Sequence, residues 1–407
     1  MKRTLSVCAL VAVLGGPLSA IGEPPALVWS YASSDHFELL LAGKEKAARD
    51  AIAAFEGYLA FFEQFFKVQS GWRPRTRLVI FANHRDYALY SPRANVEAYW
   101  LGTPDGDFIV MESFDENAPI HAVHEMAHLT MARTGASYPL WLHEGLAQYF
   151  STLKMAGTKV RLGLGLTSAM DALRQSAALM PLDRLFSIEG ALPEGASAPL
   201  EAAFYATSWG LVHMLMSHEQ YRGRAPSLLS AIAGGPPSAG ALSSFYGKSV
   251  AAVSADLRRY VSRFKVGSAL VNAAPAPSNL RIVSAAAADD IDAAVTLGSV
   301  LGWQRGHEDE GRAVLAALER DAPDYLRLAE ARGLLEYYTQ QCGPARHYLE
   351  KAAGLGSTNP NVLRAAANLI APTDPERIKA LLSKAAGTAA PMTASGPIIA
   401  MTPCAGG

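Results

Sequence analysis

Residues 121–128 read His-Ala-Val-His-Glu-Met-Ala-His, and sixteen residues beyond His128 stands Glu144 in the run Leu-Trp-Leu-His-Glu-Gly-Leu-Ala. His124 and His128 are spaced i, i+4, so on a helix they lie one above the other and can reach a single cation. Glu125 follows His124 and is turned about 100 degrees away around a helix of 3.6 residues per turn. It therefore stands beside such an ion without having to bind it, where a base acting on an ion-activated water belongs. The other side chains of the segment (Ile120, Val123, Met126, Ala127, Leu129, Met131) are apolar. A helix apolar on its remaining sides is a buried one, and a buried stripe of imidazoles and a carboxylate is costly unless something satisfies it.

Catalytic zinc usually takes three protein ligands and leaves one position to water. Glu144 is the expected third. It follows His128 after fifteen intervening residues, enough for a helix end, a turn closed by Gly135 and Pro139, and a second helix running to about Thr152. On that helix Glu144, Gln148 and Ser151 make the polar face. His143 points about 100 degrees from Glu144 and is expected at the rim or surface. His121 is expected as a neighbour of the ligands or a cleft wall, because a fourth ligand would close the water position.

The pair H-E-x-x-H and W-L-x-E-G-L-A resembles the gluzincin metallopeptidases, in the peptidase-MA-like branch that includes relatives of aminopeptidase N. The resemblance spans roughly residues 28–265. It implies an α+β zincin-like domain, a small mixed sheet plus active-site helices, with one zinc ion on His124, His128 and Glu144 and Glu125 as general base. The stretch FYATSWGLVHML at 204–215 resembles the family helix whose tyrosine faces the scissile carbonyl, which implies Tyr205 as an oxyanion donor. Two departures stand out. His143 replaces the asparagine the family often has before its third ligand. In place of a G-A-M-E-N strand, the chain offers Val-Met-Glu-Ser with Glu112, only eleven residues before His124. That strand is expected to pair with extended substrate at a cleft edge.

The positioning elements follow from periodicity. Ile52, Phe55, Leu59, Phe62 and Phe66 mark one buried helical face. Residues 36–41, 76–82 and 107–113 read as strands, and 83–106 as loop. Helices are expected from Pro119 and Pro139, over 205–216 and over 254–264. After a Pro-, Ala- and Ser-containing linker at 266–283 comes an all-α region, 284–386. There EGRAVLAALERDAPD and CGPARHYLEKAAGLGSTNP form a weak repeat that resembles tetratricopeptide repeats. Gly298 and Gly333 are expected where paired helices approach closely. Residues 1–20 (a Lys2-Arg3 start, an apolar run from Leu5 to Leu14, then Pro17 to Ala20) read as a secretory signal peptide. The peptidase-like domain is expected over 25–265 and a disordered tail over 387–407.

With 36 basic and 37 acidic residues, net charge −1, bulk charge offers nothing to nucleic acid or an acidic membrane. No segment beyond the signal peptide reads as membrane-spanning. Beyond that peptide only Cys342 and Cys404 remain, expected to be free thiols. The function expected is a secreted or periplasmic zinc peptidase acting on a peptide or protein, with the helical region recruiting substrate or a protein partner. The alternative is an inactive zinc-binding scaffold for protein–protein interaction.

Overall fold

The computed structural model describes residues 28–68, 74–94, 96–174, 179–193, 195–235, 237–263, 268–272, 285–287, 290–369, 374–386 and 404. The signal-peptide stretch, most of the expected linker, and the tail apart from Cys404 lie outside them. Among the described residues no helix is long and apolar enough to cross a membrane.

The chain is mixed α/β. It opens with β1 (Trp29–Ser33), β2 (Phe37–Ala42), α1 (Glu45–Phe66), β3 (Thr76–Ile80), β4 (Ala98–Thr103) and β5 (Gly106–Met111). Next come α2 (Ala118–Arg133), α3 (Leu140–Ser151), β6 (Lys154–Ala156), β7 (Lys159–Leu162), α4 (Ala198–Ser217), α5 (Val250–Ser262) and β8 (Ala269–Asn272), with shorter helices between α3 and α5. The last part holds β9 (Ala285–Ala287) and the helices α6 (Asp290–Gly302), α7 (Glu308–Leu318), α8 (Leu326–Tyr338), α9 (Cys342–Gly354), α10 (Pro360–Leu369) and α11 (Pro375–Ala386).

These elements form two compact units. The first comprises residues 1–56, 70–114 and 279–407; the second, 57–69 and 115–278. The division at 278/279 lies inside the stretch read as linker, and residues 1–56 and 70–114 group with the C-terminal helices, with β1 and β9 paired in one sheet. Its order is β4-β5-β3-β2-β1-β9, with β1 antiparallel to β2 on one side and to β9 on the other. The neighbours β2–β3 and β3–β5 are parallel. Parallel strands are normally covered on both faces and so read as continuous apolar runs, which accounts for Leu39-Leu40-Leu41, Leu78-Val79-Ile80 and Phe108-Ile109-Val110. One face, with Leu40, Val79 and Val110, shares a core with Val300, Leu334 and Leu349 of the C-terminal helices. On the other face Phe37 meets Phe55 of α1, ring centroids 5.8 Å apart.

Three expectations are corrected within this unit. The stretch 83–106 is not all loop: β4 lies in it and pairs with β5 from Thr103–Gly106 to Ala98–Met111. The Glu112 strand, β5, is not an edge, since β3 and β4 occupy both its sides. Its backbone has no free ladder for an extended peptide, and Glu112 itself is bonded to His84 Nδ1 at 2.9 Å. Nor are the cysteines free: Cys342 and Cys404 are disulfide-bonded across a sequence separation of 62, with the buried Cys404 also donating its N–H to Tyr337 O.

The C-terminal helices form three successive pairs, α6–α7, α8–α9 and α10–α11, packed one on the next. Gly298 and Gly333 sit at close approaches: a Cβ would lie 2.9 Å from Leu315 at the first and 2.8 Å from Leu349 at the second. Gly311 is tighter still, with Gly302 backbone 2.2 Å from its would-be Cβ.

In the second unit, β6, β7 and β8 form a small antiparallel sheet. Part of the expected linker is thus strand. The end of α1 supplies Phe61, Phe62, Phe65 and Phe66, whose rings lie 4.8–6.0 Å from that of Phe150 on α3. Edge contacts of this kind stabilise beyond the area they bury, and they hold the C-terminal half of α3 in place.

Candidate metal centre

The helix α2 begins where Asp115 Oδ1 accepts the N–H groups of Asn117 and Ala118, at 2.8 and 3.2 Å. Asn117 occupies the cap position, and the side chain of Asp115 satisfies the first N–H groups in its place. Pro119 lies in the first turn, and Gly135, at φ 72°, lets the chain turn back. Val123, Met126, Ala127, Leu129 and Met131 are buried without exposure. This fixes the rotation of α2 and turns His124 and His128 toward α3.

The helix α3 is held by two contacts near its start. Trp141 donates its indole N–H to Ser238 Oγ at 2.9 Å. Gly145, directly after Glu144, is so close to α4 that a Cβ would lie 2.7 Å from Ser208 O. The glycine in the Glu-Gly-Leu-Ala run is thus a crossing point of two helices. The residue one turn before Ser208 on α4 is Tyr205, partly buried, with its ring 5.4 Å from that of Phe204.

The structure brings His124, His128 and Glu144 together, each offering one ligand atom, all within 4.8 Å of one another. His124 Nε2 and His128 Nε2 are 3.0 Å apart. Glu144 Oε2 lies 3.7 Å from the first and 3.6 Å from the second. Those two distances are too long for hydrogen bonds. The three atoms form a triangle whose circumradius, the product of its sides over four times its area, is about 2.0 Å. A point at that distance from all three matches bonds of about 2.0–2.2 Å from zinc to imidazole nitrogen or carboxylate oxygen. The group could hold a metal ion.

A family model described as a protein of unknown function, DUF1570, matches residues 120–223. That quarter of the chain runs from α2 past α4 and contains all five residues singled out above. No curated protein and no solved structure matches the chain.

The protonation states suit ligands. Burial pushes the pKa of His124 down to about 3, with the neighbouring His128 adding to it and Glu144 opposing it. Burial does the same to His128, also to about 3. Both rings are neutral at neutral pH, and each has a lone pair to give. A buried histidine with a structural job looks different. His213, with no exposed surface, bonds through both ring nitrogens: Nε2 at 3.1 Å from Gly163 O and Nδ1 at 2.7 Å from Tyr260 Oη. Since the carbonyl can only accept, Nε2 carries the proton and Tyr260 donates to Nδ1.

Glu125 is buried in α2, 7 % exposed. His143 departs from expectation. It is partly buried, as a rim position allows, but its ring stacks on that of His128, centroids 4.3 Å apart and planes at 28°. Burial, with His128 next, lowers its pKa to about 3. Helical spacing gave the direction of His143 relative to Glu144 but not which ring of α2 would lie beside it.

Proposed function

We propose that the chain is an exported zinc-dependent peptidase of gluzincin type, hydrolysing peptide bonds with His124, His128 and Glu144 as ligands of one ion. The observation that carries this reading is the triangle of three ligand atoms, drawn from two helices, whose circumradius of about 2.0 Å suits one cation. When bound, the ion acts as a Lewis acid on the scissile carbonyl and acidifies a water molecule. Glu125, next to His124 on α2, takes the proton of that water and passes it to the leaving amine. Tyr205, on the helix that crosses α3 beside Glu144, donates its hydroxyl hydrogen to the developing oxyanion.

The three helix pairs begin at residues 290, 326 and 360, intervals close to the 34 residues of a tetratricopeptide unit. We read them as tetratricopeptide-like and as the part that recruits substrate or a protein partner. One side of this array is already used in the core with β2, β3 and β5, so recruitment falls to its outer side. Export is supported by the signal-like residues 1–20 and by the Cys342–Cys404 disulfide, since disulfides persist in oxidising compartments.

The test is a metal analysis of the purified protein beside digestion of a peptide library with and without a chelator. Glu125→Gln should keep the metal and lose about 100-fold or more in turnover, the scale of a general base. Cleavage by Glu125→Gln at the wild-type rate would overturn the assignment. A protein that binds zinc at full occupancy yet cleaves nothing in the library would favour the scaffold.

A further inference from the structure

A metal-bound histidine almost always donates its second ring N–H to a carboxylate, a carbonyl or a water, and that bond fixes the plane of the ring. His128 lacks this support. Its Nδ1 is buried and has no hydrogen-bond partner among the described residues, although Nε2 faces His124 and Glu144. Without another constraint the ring could turn about its Cβ–Cγ bond and swing Nε2 away from the site.

The neighbours of that ring are aromatic. His143 lies along its face, centroids 4.3 Å apart at 28°. The ring of His124 meets it edge-on, centroids 4.6 Å apart at 81°. Behind His143 stands Tyr138, ring centroid 6.3 Å away. His143 is also the residue directly before Glu144 on α3, so a ring it holds is held relative to the helix that supplies the third ligand.

We propose that His143 is a positioning residue, whose imidazole face sets the plane of His128 in place of the missing hydrogen bond. The inference rests on the reading of His124, His128 and Glu144 as metal ligands. It assigns His143 no bond to the ion and no proton to transfer. What the site requires at position 143 is a flat ring, and the ring nitrogens are dispensable.

The experiment measures zinc affinity of the full chain by competition with a chromogenic chelator, for wild type, His143→Ala, His143→Phe and Glu144→Ala. Loss of an outer support typically costs 10–100-fold in metal affinity. His143→Ala should bind one zinc about 10–100-fold more weakly than wild type, and His143→Phe should recover most of that loss. The absorption spectrum of the cobalt-loaded protein should be the same for His143→Phe and wild type, because the ligand set is unchanged. Wild-type affinity in His143→Ala would overturn the inference and leave the zinc reading intact. A His143→Phe variant as weak as His143→Ala, or with an altered cobalt spectrum, would overturn it too, by showing that a ring nitrogen is needed. If wild type and Glu144→Ala both fail to bind zinc, the underlying reading fails and the inference goes with it. Should His143→Ala unfold, the comparison of His143→Phe with wild type decides alone.

Discussion

The two units deal with buried charge in opposite ways. In the first, buried ions are matched by opposite ions. Arg77 NH1 is 2.6 Å from Asp105, which is almost fully buried. Between α7, α8 and α9, Glu336 holds Arg312 at 2.9 Å and Arg332 at 3.2 Å, while Arg332 also pairs with Glu319 and lies over the Tyr348 ring. In the second unit, two neutral imidazoles and one carboxylate converge, the ring nitrogens 3.0 Å apart and the carboxylate oxygen 3.6–3.7 Å from each. The first arrangement is complete in itself and serves the fold. The second places the Glu144 oxygen beyond hydrogen-bond distance of either ring, and on the function proposed above a cation would complete it. Polar groups placed against local physical preference mark a site rather than a core.

The comparison can be broken most severely at Glu336. Replacement by Ala leaves Arg332 and Arg312 without their shared partner and should cost about 3–5 kcal/mol in stability, as breaking a buried ion pair does. Denaturant unfolding measures it. A loss below about 1 kcal/mol would mean that these pairs are solvated and that the contrast between units is false.

In the second unit the corresponding change should depend on metal. Zinc at a free concentration a hundred times its dissociation constant should stabilise wild type by about 2.7 kcal/mol and leave His124→Ala unmoved. In chelator, His124→Ala should be as stable as wild type or slightly more so, because it removes a partly buried ring whose contact with Glu144 is too long for a hydrogen bond. Thermal unfolding with and without chelator reads both. A large destabilisation in chelator would show that the ring is held for the fold.

Acid sharpens the contrast further. Burial holds His213 down to about 4, and His124, His128 and His143 to about 3. In the unfolded chain each protonates near 6.5. Between pH 6.5 and 4 the unfolded form of the metal-free protein therefore binds more protons, and stability falls as the pH is lowered. Each histidine contributes a slope of at most about 1.4 kcal/mol per pH unit. His213→Asn should reduce the slope by about one proton, seen in unfolding at several pH values. An unchanged slope would mean that His213 is not kept neutral in the native state.

Much of the site was legible because its determinants are local. His124 and His128 share a helical face by spacing alone, and Gly135, Pro139 and the apolar positions of α2 and α3 announce both helices. Gly298 and Gly333 were legible in the same way, since a missing Cβ in a helical pattern has few uses besides close packing. Other features gave no local sign. The strand β1, Trp-Ser-Tyr-Ala-Ser, lacks clear alternation, and β9 is three alanines; they are strands because they pair with each other across some 250 residues. The strand β4 was masked by the loop-like residues around it. The disulfide depends on where the tail returns, which two cysteines 62 residues apart do not reveal.

Taken alone, the sequence determined the helices of the candidate site and the shared face of His124 and His128, because backbone periodicity converts spacing directly into direction. Tertiary structure decided the rest. It placed Glu144 near both imidazoles, stacked His143 on His128, and paired β1 with β9 in one sheet. Each of these depends on the distance between elements that share no local geometry, and such distances are settled only when apolar faces pack.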